Sequence, residues 1–357
     1  MTAAVMEHGA SVAAPALQLH WPLAPDVALD AHDLGALVFG AAAPAGKPAA
    51  DAPILQVMTP ALAPARPWLA AWRSPAPVRA GRHGRVSYRC AGGLLFGVVT
   101  VAEDEWDEAA TLAGATQARL QCAAGLAYAE LFGALDALAH PHLLRVWNYL
   151  PHINAEEGGE ERYRQFNAGR QAAFAAHGRT FAGEVPAACA LGVGGGPLAI
   201  AFLAATQPAL AVENPRQVAA YDYPPEYGRR SPTFARATLA RQGGQRLLFV
   251  SGTASIVGHR SLHAGDVVAQ TRETLANVDA LLAEVARLAP EAGFRAEALA
   301  YVAYLRRPQD LPLVRAEVER RLGVDAAIAY VQADVCRADL LVEIEASGGH
   351  PMEFRCR

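Results

Sequence analysis

Two stretches of this chain carry the same order of apolar patterns, and that duplication constrains its fold more than any single motif. In the first, Val86–Cys90 and Leu94–Val101 read as strands paired about an Ala-Gly-Gly turn. Residues 107–138 are Ala/Leu-rich with apolar positions at helical spacing, and His142–Leu150 (HLLRVWNYL) alternates as a strand. An amphipathic helix over 163–178 and strands at Ala187–Val193 and Pro197–Ala205 complete the set. The second half repeats it. Strands at Phe234–Ala240 and Arg246–Thr253 precede a helix at Asp266–Leu288 with Leu275, Val278, Leu282 and Val285 on one face. A strand at Ala298–Leu305, a helix at Asp310–Arg321 and strands at Ala326–Val335 and Leu340–Ala346 follow. The order is ββαβαββ twice, which predicts an α+β fold of two similar units, each a mixed sheet with helices packed on one face. The open sheet faces then need cover from each other or from the N-terminal segment. The predicted organisation is an irregular N-terminal segment over 1–80 packed on the first unit, a first unit over 81–210 and a second over 211–357. Within 1–80, Ala and Pro interrupt every pattern, so short strands and loops are expected, with 41–52 and 59–79 as irregular connections.

The charge balance excludes several classes of partner. With 31 basic and 35 acidic residues the net charge is -4, which argues against a nucleic-acid binder and against a polybasic membrane-surface protein. Lys47 is the single lysine, set in the low-complexity run AAAPAGKPAA, so a Schiff-base or general-base lysine is not expected and anion recognition falls to arginine. Cys90, Cys122, Cys189, Cys336 and Cys356 include no CxxC pair and are odd in number; neither a disulfide framework nor a structural zinc site is expected. Glu7 and His8 stand where a signal peptide needs an apolar run. The longest uncharged stretch, Val185 to Val212, is broken by GGGP and Gln-Pro and reads as two buried strands, not a membrane span. A soluble cytoplasmic protein is the expectation.

Generic catalytic motifs are missing: GVGGGPLA lacks the Lys-Ser/Thr of a phosphate loop, and neither HExxH nor GxSxG occurs. Two segments are denser in polar groups than their surroundings. Glu213–Ala237 packs Arg216, Tyr221, Tyr223, Tyr227, Arg229, Arg230 and Arg236 into a Pro-interrupted loop at the junction of the units. Guanidinium and phenol groups together suit a planar carboxylate, although an ordinary solvated linker accounts for the same composition. The second segment is Tyr330–Ala346. In DLLVEIEA, Val342 and Ile344 share one strand face, so Glu343 and Glu345 share the other. On a core face such a carboxylate would favour its protonated form and act as a general acid; on an edge strand it would simply be solvated.

SGTAS (Ser251–Ser255), QTRETLANVDALL (Gln270–Leu282) and DLLVEIEA (Asp339–Ala346) resemble the Rid superfamily of imine/enamine deaminases. RVWNYLPHIN (Arg145–Asn154), YRQFNAGRQAAF (Tyr163–Phe174), the Glu213–Ala237 segment and SGTASIVGHRS, in this order, widen the resemblance to the chorismatase family, which elaborates that fold. The resemblance implies a cofactor- and metal-independent enzyme that cleaves chorismate to pyruvate and a ring product. It places the catalytic glutamate at Glu343, protonating the enolpyruvyl group. Cys336 with Gly252 resembles the members that aromatise the ring, giving 3-hydroxybenzoate with or without 4-hydroxybenzoate. The alternative within the family is hydrolysis to the dihydroxycyclohexadiene carboxylate; the alternative of another class is a non-catalytic ligand-binding protein of Rid-like fold. Arg216, Tyr221, Tyr227 and Arg229 of the junction loop, with Gly252, Arg306 and Tyr330, form the expected substrate-binding set. In Rid deaminases an arginine fifteen residues before the glutamate grips the substrate; here that position is Ile328, so deamination loses its anchor. Rid proteins are trimers, but a duplicated chain can bury the same interfaces within itself, so a monomer or weak oligomer is expected.

Overall fold

The computed structural model describes residues 16–24, 27–40, 51–105, 118–180 and 182–354. Lys47, Cys356, residues 107–117 of the expected first helix and most of the 41–52 connection lie outside them.

Both predicted units form. The first unit's sheet has the spatial order Ala187–Val193, His142–Pro151, Leu198–Ala205, Leu94–Val101, Val86–Ala91, Arg79–His83. The second runs Ala209–Val212, Ala237–Gln242, Gln245–Ala254, Val342–Gly348, Ala300–Leu305, Ala327–Gln332, Ala61–Ala63. Each sheet is mixed: Ala187–Val193 lies parallel to His142–Pro151 and Ala327–Gln332 parallel to Ala300–Leu305, and the other pairings are antiparallel. Helices α1 (Arg119–Ala137) and α2 (Arg162–Ala176) cover one face of the first sheet. Helices α3 (Val267–Leu288) and α4 (Leu311–Leu322) cover one face of the second. The Asp266 carboxylate caps α3 by accepting from the Ala269 N–H, satisfying one of the helix's otherwise unpaired donors.

Two expectations need correction. Residues 59–79 are not irregular: they hold the strands Ala61–Ala63 and Trp68–Arg73. The N-terminal segment is also not packed on the first unit alone. Trp68–Arg73 is the centre of a third, five-stranded sheet, ordered Met352–Phe354, Gln18–Leu23, Trp68–Arg73, Asp33–Phe39, Ile54–Val57, while Ala61–Ala63 extends the second unit's sheet. The reason is apolar area. Helices cover only one face of each unit's sheet, and both remaining faces are apolar. They turn inward with the face of the third sheet that carries Leu19, Trp21, Leu37, Phe39 and Trp72, and one core holds side chains from all three. At about 25 cal/mol per Å² of buried apolar surface this shared core is a dominant stabilising term.

Candidate active site

Strand alternation decides which groups meet at the junction of the units. Val342, Ile344 and Ala346 enter the helix-side core of the second unit, so Glu343, Glu345 and Ser347 point inward, all three buried. The Glu343 backbone is in register with Tyr304 on one side and Ala254 on the other. Between Val250 and Thr253 the neighbouring strand bulges, and Gly252 lies inside that bulge. A Cβ built at Gly252 would overlap Oε1 of Glu343 and come within 3.1 Å of Cys189 Cβ. The missing side chain therefore makes the slot that the Glu343 carboxyl fills.

The two glutamates have different fates. Glu345 accepts from the Arg145 guanidinium and from Trp147 Nε1–H at 3.0 Å, both on the first unit's His142–Pro151 strand. Glu343 has no ion-pair partner among the described residues. Burial pushes its carboxyl up to about 8, Glu345 pushes the same way, and Arg145 and Arg236 oppose. At neutral pH it is a carboxylic acid with a proton to give.

Cys336 precedes the acid-bearing strand on a loop that is fastened at both ends. Gly192 and Asp334 exchange backbone hydrogen bonds across the units, and Arg306 donates to Asp334, Asn154 and the carbonyls of Val335, Arg337 and Leu340. Burial, with Glu343 adding, pushes the Cys336 thiol up to about 12, so it is a neutral wall group and not a thiolate nucleophile. It borders an open cleft of about 610 Å³, with Tyr163, Tyr223, Tyr227, Phe234 and Arg337. Glu343 stands behind this lining, close enough to act electrostatically on Cys336 and Tyr163. Two arginines flank Tyr223. Arg236 donates to its hydroxyl at 2.8 Å and lies 5.5 Å from its ring; Arg337 lies 5.1 Å from it and 4.0 Å from the Tyr227 ring. Nε of Arg236 and a terminal nitrogen of Arg337 are buried without hydrogen-bond partners, an arrangement that suits an incoming carboxylate.

The sequence-predicted residues divide. Glu343, Cys336, Gly252 and Tyr227 come together at this junction. Arg216 is held by Glu273 and Asn277 on α3, Tyr221 sits beside Glu213 away from the cleft lining, and Arg229 is exposed. Arg306 is spent on shaping the Cys336 loop. Tyr330 is on the wrong face: Ala329 and Val331 point to the shared core, so Tyr330 points to the helix layer, under the Arg315 guanidinium. Sequence reasoning did not single out Arg145, Trp147, Cys189, Tyr163 or Arg337. One signal was available: HLLRVWNYL places Arg145 on the same alternating face as Trp147 and Tyr149, where a lone cation calls for a buried anion.

Residues 70–204 match the family model described as chorismatase FkbO/Hyg5-like, N-terminal. A 3-hydroxybenzoate synthase from Streptomyces hygroscopicus is 41% identical over 228 residues, covering 61% of this chain and 67% of that protein. A chorismatase from Streptomyces rapamycinicus is 36% identical over 283 residues, covering 77% of this chain and 80% of that protein. A chorismatase crystal structure matches with a TM-score of 0.81 at 32% identity, over 94% of this chain and 98% of that one.

Proposed function

This chain belongs to the chorismatase family, and we propose that the junction of its two units cleaves the enolpyruvyl ether of chorismate, releasing pyruvate and a hydroxybenzoate, principally the 3-isomer. The observation that carries this reading is the Glu343 carboxyl: buried, without an ion-pair partner among the described residues, raised to about 8 and seated in the Gly252 slot. It delivers a proton to the enolpyruvyl group, whose ether carbon then becomes electrophilic. Chorismate equals hydroxybenzoate plus pyruvate atom for atom, so aromatising cleavage consumes no water, whereas the diene product requires one. The neutral Cys336 thiol, a poor hydrogen-bonding group, offers little to hold a nucleophilic water, which supports attack by the ring's own hydroxyl. Arg236 and Arg337 take the two carboxylates, and Tyr223 and Tyr227 pack the ring between them. Guanidinium groups fixed beside the cleft supply several kcal/mol of positioning by the usual effective-molarity argument.

A chain that closes three sheets on one core needs no second copy to complete the site, so we read it as a monomer or weak oligomer. Among the described residues no helix is long and apolar enough to cross a membrane; the four described cysteines are free, which fits the cytoplasmic setting we propose. The test is incubation with chorismate, chromatography of the ring product and a pyruvate assay. An aromatic acid equimolar with pyruvate is expected. The dihydroxycyclohexadiene acid would assign hydrolysis, and chorismate binding without pyruvate would remove the enzyme reading altogether.

A further inference from the structure

Arg145 and Glu345 form an ion pair sealed at the junction, their side chains 2% and 8% exposed. Burying two charges costs several kcal/mol per ion before their attraction offsets it, and well-packed apolar residues would serve stability as well or better. Stability is therefore a poor account of the pair, and its placement suggests another. Arg145, from the first unit, reaches two neighbouring strands of the second: the Glu345 carboxylate on the acid-bearing strand and the Val250 carbonyl at 3.3 Å, where the adjacent strand begins to bulge. These strands are the walls of the slot that holds Glu343. Glu345 is two residues from Glu343 on the same face, a rise of about 7 Å, and its second oxygen is taken by Trp147.

We infer that the Arg145–Glu345 pair is a positioning device for the catalytic acid: Arg145 fixes the bulge that admits the Glu343 carboxyl, and the Glu345 carboxylate is the fixed negative charge against which Glu343 keeps its proton. This rests on Glu343 being the proton donor. The groups facing Glu343 are Glu345 on its own strand, Arg145 and Cys189 from the first unit's sheet, Arg236 from the junction loop, Cys336 from the preceding loop and Tyr163 from α2. Burial holds both thiols and the phenol neutral. Among these groups the negative charge is therefore Glu345's; of the two guanidinium groups, Arg145 is already committed to it and Arg236 donates to Tyr223 and the Val218 carbonyl.

The test is the pH dependence of kcat/KM for pyruvate release. Glu345→Gln keeps side-chain length and can still accept from Trp147, but it removes the charge and leaves Arg145 to stabilise an ionised Glu343. Its alkaline limb should move down by about one to three pH units. The double variant Arg145→Gln/Glu345→Gln should return the limb toward the wild-type position, because burial alone still opposes ionisation. If Glu345→Gln does not fold, Arg145→Gln reads the same effect with opposite sign, the limb moving up. A purely structural pair would lower the melting temperature or the rate at every pH without moving the limb; an unmoved limb in a folded variant overturns the inference. Glu343→Gln separates the two readings. If it is inactive while the limb of Glu345→Gln stays put, the pair's role falls and the acid stands; if it retains turnover, both fall.

Discussion

The same strand exists twice in this molecule, and its two copies have gone separate ways. In the first unit Leu198–Ala205 reads LAIAFLAA; in the second, Val342–Gly348 reads VEIEASG. Each lies at the centre of its sheet beside the strand that carries Tyr149 or Tyr304, and these two buried tyrosines meet hydroxyl to hydroxyl at 3.0 Å. Register from that meeting point matches Ala199 with Glu343 and Ala201 with Glu345. It also matches Trp147 with Val302 and Arg145 with Ala300. One unit carries the acids, and the other carries the cation and indole that hold one of them. A symmetric assembly of identical units would repeat every group. A duplicated chain can place a neutral acid at one junction only, and the opposing strand can specialise in supporting it.

Substitutions can break that division of labour. Glu343→Gln should fold and lose turnover by about a thousandfold, the middle of the range that one proton-transfer group supplies; circular dichroism and the pyruvate assay together check it. Gly252→Ala pushes a methyl group into the slot, so the Glu343 carboxyl must swing away. A loss on the order of a hundredfold is expected for a displacement near 1 Å, read in kcat with the melting temperature as control. Ala199→Glu copies the acid into the first unit, where Leu191 and Val193 belong to the same apolar core. It should cost about 2 kcal/mol of stability as an unsatisfied buried polar group, measured by denaturant melts, and create no second site. The smallest effect is expected at Cys336. Its replacement by alanine should alter the ratio of aromatic to diene product while total pyruvate release stays within about thirtyfold, since one wall contact is worth only about 1–2 kcal/mol; an unchanged product profile would count against its role.

The duplicated order of elements was legible because strands and helices announce themselves by periods of 2 and 3.6, and both units follow them. The inward face of Glu343 and Glu345 was legible for the same reason. Tyr330 shows the limit of that logic: it lies in a segment rich in candidate groups, but its parity sends it to the helix layer. Arg306 fails differently. Its position at a strand end was read correctly, yet its donors are consumed by loop carbonyls that local sequence does not place there. The third sheet was hidden because its edge strand Met352–Phe354 pairs with Gln18–Leu23 from the opposite end of the chain, and its strands are short. Arg145 was missed because its partner Glu345 is 200 positions away. Non-local pairing is what single-sequence patterns carry least.

The central claim is that Glu343 is a neutral carboxylic acid at the pH where the protein works. A general acid raised to about 8 is competent below that value and lost above it, as deprotonation removes the donor. The pH dependence of kcat/KM for pyruvate release from chorismate measures this directly. The account predicts a plateau through neutrality and a decline of about tenfold per pH unit above about 8, absent from the residual rate of Glu343→Gln. A rate that falls through the ordinary carboxylate range near 4 to 5, or that keeps rising above pH 8, would contradict it.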